Sequence, residues 1–215
     1  MGKAKHIESA PRGVDEIKEF ILQAGSDNVS VFSGKFEGGV HCQQVPDEFA
    51  ACLAAILATG HRIENYLEIG VAAGGTTYHV HHFADPETII LVDNNVHPKA
   101  PLRAEILNGI ERREIIGDSH AERVIAEVRA ACPAYDLIII DGDHSYPGVK
   151  ADVENYLPCL ADGGFLVFHD TCLPDWGVMQ IVGELKEAGN LDFIGEYKSE
   201  MRAPLGVALF RKGKE

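Results

Sequence analysis

Residues 66–75 read Tyr-Leu-Glu-Ile-Gly-Val-Ala-Ala-Gly-Gly, and no other stretch of the chain restricts its fold as much. A short apolar run carrying Glu68 reaches Gly70, the pair Gly74-Gly75 follows, and Thr76-Thr77 opens a segment of helical character. Strand, tight glycine turn and helix start together make a cradle of nucleotide size. Glycine lets the backbone pass close to a ligand that a Cβ would block. The spacing is G-x-x-x-G-G, not the G-x-G-x-x-G of dinucleotide sites. With an acid at the strand end, it points away from a pyrophosphate and toward a ligand carrying an adenosine and a positive charge. A plain strand-to-helix turn in an α/β domain is the structural alternative.

From about residue 65 the pattern alternates. Strand-like runs cover Tyr66–Gly70, Thr88–Asp93, Arg113–Gly117, Asp136–Asp141 and Phe165–His169. Helical spacing marks Ala121–Ala131 and Pro147–Leu160, the latter with Ser145 as N-cap, Pro158 as a kink and Gly163-Gly164 as its stop. The run Leu137–Ile140 has no alternation and suits a central parallel strand buried on both faces. The fold class predicted is α/β: a doubly wound, Rossmann-like sheet, mostly parallel, with helices on both faces. The runs Leu191–Tyr197 and Leu205–Arg211 lack a crossover helix and predict an antiparallel pair at the C-terminal edge. Upstream, Pro46–Leu57 and Val14–Gln23 predict helices. Residues 1–45 are expected to form an N-terminal helical cap and lid segment, and 46–215 the main domain. Gly25–Gln44 and Ser199–Pro204 are candidate lids.

The formal net charge of −14 is the wrong sign for a phosphate-backbone binder, so nucleic acid is not expected as a partner. No apolar run approaches a membrane span, and the first ten residues lack an apolar signal core. Five scattered cysteines form no C-x-x-C, which suits reduced thiols and a cytoplasmic protein.

Ligands of open α/β sheets sit at the carboxyl ends of the strands. Those ends carry Glu68, Asp93, Asp118, Asp141 and Asp170, a crowd of acids that calls for cations or hydroxyl donors. Asp93 lies about 20 residues beyond the glycine turn, where an acid accepts from ribose hydroxyls. Asp141 and Asp170 end two neighbouring strands and offer the oxygen donors that Mg²⁺ or Mn²⁺ prefers. His144, on the Asp141 loop, can take a proton from a substrate hydroxyl.

The glycine stretch resembles motif I of the class I S-adenosylmethionine-dependent methyltransferases. The segments Asp-Gly-Asp-His-Ser-Tyr (141–146) and Phe-His-Asp-Thr (168–171) look like the metal-dependent O-methyltransferases, closest to the macrocin and mycinamicin sugar group and its cephalosporin-biosynthesis relatives. The resemblance implies S-adenosylmethionine as donor, held by Glu68, Gly70, Gly74, Gly75, Thr76 and Asp93, with Asp118 and Ser119 beside the adenine and Asp141 also facing the cofactor. It implies Asp141 and Asp170 as metal ligands and His144 as base. His169 stands where relatives often carry an acid. As a third ligand, its imidazole suits Mn²⁺ or Fe²⁺ better than Mg²⁺. The expected reaction is O-methylation of a small hydroxylated acceptor, and relatives lean toward homo-oligomers. Two alternatives stay open: methyl transfer without a metal, and a non-catalytic protein that binds an adenosine ligand.

Overall fold

The structure is a computed structural model that describes residues 13–25, 39–200 and 204–214. Most of the candidate lid Gly25–Gln44, and the centre of the 199–204 loop, lie outside the described residues. The helices are α1 (Val14–Ala24), α2 (Pro46–Ala58), α3 (Gly75–Ala84), α4 (Arg103–Ile106), α5 (Glu122–Ala131), α6 (Tyr146–Tyr156) and α7 (Gly177–Ala188). The strands are β1 (Asn65–Ile69), β2 (Thr88–Asp93), β3 (Arg113–Ile116), β4 (Tyr135–Ile140), β5 (Leu160–His169), β6 (Asp192–Tyr197) and β7 (Val207–Arg211). They form one sheet in the order β3-β2-β1-β4-β5-β7-β6. The first five are parallel, and β7 runs antiparallel to both β5 and β6. This is the Rossmann-like sheet with an antiparallel C-terminal edge that the strand patterning predicts.

The apolar runs make sense once both faces are covered. Ile138 and Ile140 pack with Leu67 and Ile69 beneath α5, α6 and α7. Leu137 and Ile139 point the other way, into a second core with Phe49, Leu53 and Ile56 of α2 and Ile17 and Ile21 of α1. Period-two alternation turns successive side chains to opposite faces, so a strand buried on both sides must be apolar throughout.

Two boundaries differ from the sequence pattern. Helix α6 ends at Tyr156, because Leu157–Cys159 tighten into a 3₁₀ turn around Pro158. Gly163-Gly164 therefore does not stop the helix; it lies inside β5, which begins at Leu160. The Ser145 cap is present, its hydroxyl accepting from the Gly148 N–H at 3.2 Å. Helix α7 was not anticipated, although Val178, Ile181, Val182 and Leu185 carry the i, i+3, i+4, i+7 signature and are buried.

The order reverses at β1. Its neighbours β2 and β4 lead away in opposite directions, so a crevice opens beyond the carboxyl end of β1, where α/β folds bind ligands. No described helix is long and apolar enough to cross a membrane.

Candidate active site

The crevice is a cavity of about 710 Å³. One end is the turn after β1, from Gly70 to Ala73, with Gly75 and Thr76 of α3; the other holds Asp141, His144, His169 and Asp170. Asp118 and Ser119 line it from the loop after β3, and Trp176, Leu173 and Leu205 add an apolar side.

Gly70 has φ +83°, and a Cβ there would stand 2.0 Å from the Asp141 carbonyl oxygen. The turns after β1 and β4 thus touch backbone to backbone. A Cβ on Gly75 would fall 2.2 Å from the His41 carbonyl, so this glycine admits a crossing chain segment, not only a ligand. Gly74 caps α3 in the left-handed region over Leu107 and does not line the cavity.

Asp93 closes the turn. Its Oδ2 accepts from the Val71 and Ala72 N–H groups at 2.8 and 2.9 Å. Its Oδ1 accepts from Asn95 N–H at 2.6 Å and faces Arg103 Nη2 at 3.1 Å. Burial works against its charge, but the backbone donors and Arg103 outweigh it and hold the carboxyl below the usual range. A carboxylate has about four acceptor positions, and the chain's own groups engage both oxygens here. The expected ribose acceptor is therefore committed to shaping the turn, while Asn94 beside it also lines the cavity. Arg103 ties the assembly together. Its Nε donates to the Ala72 carbonyl at 2.9 Å and its Nη1 to Asn95 Oδ1 at 3.0 Å. Ala72 and Asn95 have φ +46° and +59°, so the arginine clamps two residues held in a sparsely populated conformation. Sequence reasoning missed Arg103.

Glu68, expected at the ligand, is not in the cavity wall. Alternation puts it on the same face as Tyr66, turned toward α3, where it is 1% exposed. It accepts from the Tyr66 hydroxyl at 2.6 Å and from the Thr77 hydroxyl. Burial pushes its carboxyl up to about 8, only partly opposed by those two donors. A folded pKa raised above the unfolded value makes stability largest below pH about 4.5 and lost as pH rises through about 8. Glu68→Gln should keep the fold and flatten that loss. Urea midpoints across this range check it; an unchanged pH slope would contradict the assignment.

At the far end, His144 Nε2 lies 3.2 Å from both Asp141 Oδ1 and Asp170 Oδ2. His169 Nδ1, from the buried side, lies 3.2 Å from the same two oxygens. Gln44 Nε2 donates to the remaining Asp141 oxygen at 3.1 Å. Burial opposes the Asp141 charge, but the charge of His169 and hydrogen bonds from both imidazoles hold its carboxyl well below the usual range. The same contacts raise His169 against its burial. Asp170 adopts φ +62°, the left-handed region, at the end of β5. Trp176 stacks on the His144 ring at 4.1 Å and 17°.

One donor atom from each of Asp141, His144 and Asp170 falls within 4.8 Å of the others. Adjacent ligands of a divalent ion bound at ~2.1 Å stand ~3 Å apart, so the 3.2 Å spacings fit such an ion. His169, expected as the third ligand, is outside this trio and braces the two carboxylates from behind; His144, expected as the base, is inside it.

Residues 67–171 match the family described as a methyltransferase domain, a span that includes the glycine turn and both acidic strand ends. The matched family is one of enzyme domains that move methyl groups. Solved structures share the fold. The N-methyltransferase NodS from Bradyrhizobium japonicum WM9 aligns with TM-score 0.58 and 20% identity over 77% of this chain and 94% of its own. The O-methyltransferase TomG from Streptomyces achromogenes, solved with SAM, aligns with TM-score 0.59 and 16% identity over 74% and 77%. The mycinamycin-pathway methyltransferase MycE, solved with Mg, SAH and mycinamycin VI, gives TM-score 0.53 and 18% identity over 72% and 45%. A protein of Sinorhizobium fredii, y4gI, is 44% identical over 52 residues, 23% of this chain, and this chain spans 6% of its length.

Proposed function

We propose that this chain transfers the methyl group of S-adenosylmethionine to a hydroxyl of a small acceptor. One observation carries this reading: a single cavity joins the glycine turn to the Asp141–His144–Asp170 trio. Its volume of about 710 Å³ suits a donor with a small acceptor beside it. The donor arrives already activated, so the chain's main task is to align the acceptor oxygen with the S–CH₃ bond. The oxygen–methyl bond forms as the sulfur–methyl bond breaks, leaving S-adenosylhomocysteine and a methyl ether, and the hydroxyl proton must be removed.

Asp141, Asp170 and His144 would hold Mg²⁺ or Mn²⁺. A divalent cation there would polarise the acceptor hydroxyl and make it more acidic. Gln44 and His169 fix the carboxylates, Trp176 fixes the imidazole, and Leu173 and Leu205 exclude water from one side. The TomG likeness supports an O-methyl acceptor, and the magnesium in MycE supports the cation.

A second reading dispenses with the cation: His144 accepts the proton at Nε2, with Asp141 and Asp170 stabilising the imidazolium. It is favoured by the two carboxylate oxygens, Asp141 Oδ1 and Asp170 Oδ2, that stand 3.2 Å from His144 Nε2, ready for the charge that forms there. Calorimetric titration with S-adenosylhomocysteine tests the donor, and absence of binding overturns both readings. Mn²⁺ binding followed by electron paramagnetic resonance separates them. If His144 holds the cation, His144→Ala should weaken Mn²⁺ by at least ~10-fold, an order typical of losing a ligand or its support. If it is only the base, Mn²⁺ binding should be unchanged while turnover falls.

A further inference from the structure

Gln44 and Glu48, at the start of α2, are both buried, 2% and 1% exposed. Gln44 donates to Asp141. Glu48 turns to the other side of the acidic trio. Its Oε1 accepts from the Ser199 N–H at 2.8 Å and its Oε2 from the Gly206 N–H at 2.7 Å. The pairing of β6 with β7 ends at Tyr197 and Val207, so both amides belong to chain just outside the paired strands. Glu48 bridges them where the strands part. Leu205 and Gly206 in turn hold the loop after β5. The Gly206 carbonyl accepts from the Thr171 N–H at 3.3 Å, and the Leu205 carbonyl from the Cys172 N–H at 2.8 Å. On the other side of Asp170, His169 pairs with Val207 in the sheet. Asp170, with φ +62°, stands between these contacts. The two backbones approach closely, for a Cβ on Gly206 would fall 2.5 Å from both Thr171 Oγ1 and Cys172 Sγ.

Burying a carboxylate is costly unless it is hydrogen-bonded. An apolar side chain at position 48 would avoid that cost but leave two buried backbone N–H groups without acceptors. Two donors aimed at one place call for a side chain with two acceptor oxygens and no donor of its own, and an ionised carboxylate is that group. Glutamine offers one oxygen and turns an NH₂ toward the other amide.

We propose that Glu48 is a positioning residue for the acidic trio: through the Gly206 amide it fixes the backbone on which the turn of Asp170 rests. This deepens the reading of the trio given above and rests on it. The start of α2 then braces both carboxylates, Asp141 at its side chain through Gln44 and Asp170 at its backbone through Glu48. Asp170 depends on such support, since a non-glycine residue in the left-handed region persists only where its surroundings hold it. Contacts behind the ligands of a cation tune its binding without touching the ion.

The test compares wild type with Glu48→Gln, Glu48→Asp and Tyr135→Phe. Tyr135→Phe is the stability control, because it removes a buried hydrogen bond to the Val128 carbonyl, 2.8 Å long, at the opposite end of β4 from Asp141. Mn²⁺ binding is read by electron paramagnetic resonance and S-adenosylhomocysteine by calorimetry. Acrylamide quenching without metal reads the accessibility of Trp176, the single tryptophan of the chain. Glu48→Gln should weaken Mn²⁺ by at least ~10-fold. It should leave S-adenosylhomocysteine within ~2-fold, as sites without shared partners act independently. Glu48→Asp keeps the charge but is too short to span both amides, so it should weaken Mn²⁺ as well. Quenching should rise in both variants, because the Trp176 ring rests on His144 and His144 faces Asp170. Tyr135→Phe should change none of the three readouts. Where wild type binds Mn²⁺, unchanged affinity in the Glu48 variants, or an equal loss of both ligands, overturns the proposal and leaves Glu48 a clamp of the fold. A loss in Glu48→Gln that Glu48→Asp does not share assigns the effect to charge and overturns it too. If Glu48→Gln does not fold, Glu48→Asp carries the same comparison. If wild type binds no Mn²⁺, the cation reading fails by itself and Trp176 quenching decides the role of Glu48. If wild type binds no S-adenosylhomocysteine, the donor reading fails by itself and the Mn²⁺ comparison decides.

Discussion

Asp141→Asn should lower methyl transfer by ~10³-fold or more, ~4 kcal/mol of transition-state stabilisation, while S-adenosylhomocysteine affinity changes by less than ~5-fold, ~1 kcal/mol. The asymmetry comes from where the carboxylate sits. Its Oδ1 is the atom that both His144 Nε2 and His169 Nδ1 approach at 3.2 Å, and Gln44 holds its other oxygen. Asparagine is nearly isosteric but neutral, and an amide nitrogen turned toward either imidazole would set donor against donor. Asp170 would then face both imidazoles as the remaining carboxylate of the cluster. A divalent cation would lose half of its anionic ligands, so Mn²⁺ binding should fall with turnover. The measurement pairs single-turnover methyl transfer to an acceptor used by wild type with calorimetry of S-adenosylhomocysteine and Mn²⁺. If the variant keeps its rate, neither the cation nor the His144 assignment survives. If turnover falls but Mn²⁺ binds as in wild type, the base reading is favoured over the ligand reading.

What the sequence made legible was the set of strand ends, and what it hid was the direction of side chains. The glycine turn, Asp141 and Asp170 could be placed on one rim because parallel strands end on the same side and each run ends in a recognisable turn. The edge pair was legible because no helix separates β6 from β7. Glu68 was misread because a strand buried on both faces has no polar alternation to show which way an acid points. Here Tyr66 and Thr77 decide its environment, and Thr77 lies on the next element. Asp93 sits at the expected place, but its Arg103 partner follows a turn whose course is not written in local spacing. The pairs Gln44–Asp141 and His120–Asp152 join residues 97 and 32 positions apart, and only the assembled sheet brings them together. Periodicity reports on one element at a time, and these contacts belong to two.

Gly70→Ala should be the most damaging single-methyl change near the site. The residue has φ +83°, where a side chain costs ~1 kcal/mol. The added Cβ would also stand 2.0 Å from the Asp141 carbonyl oxygen, 2.4 Å from its carbon and 2.6 Å from Gly142 Cα. All three are backbone atoms, so no rotamer change can relieve the overlap. Both turns are also stitched to neighbouring strands, Gly70 N–H to the Val92 carbonyl at 2.9 Å and Asp141 N–H to the Ile69 carbonyl at 2.8 Å. Relief requires prising the β1 and β4 ends apart, which breaks one of these bonds and displaces Asp141. The expected destabilisation is at least ~3 kcal/mol, a fall in Tm of ~6–12 °C for a chain of this size, with S-adenosylhomocysteine binding weakened more than ~100-fold. Gly60→Ala is the matched control. Gly60 has φ +69° with no atom within 4 Å of the added Cβ, so it isolates the backbone term alone. It should cost ~1 kcal/mol and ~2–4 °C and leave ligand affinity untouched. The difference between the two variants measures the close approach of the turns after β1 and β4. If Gly70→Ala costs no more than Gly60→Ala, the two turns do not touch in solution as they do here, and the cavity that joins donor turn to acidic trio loses its shared wall.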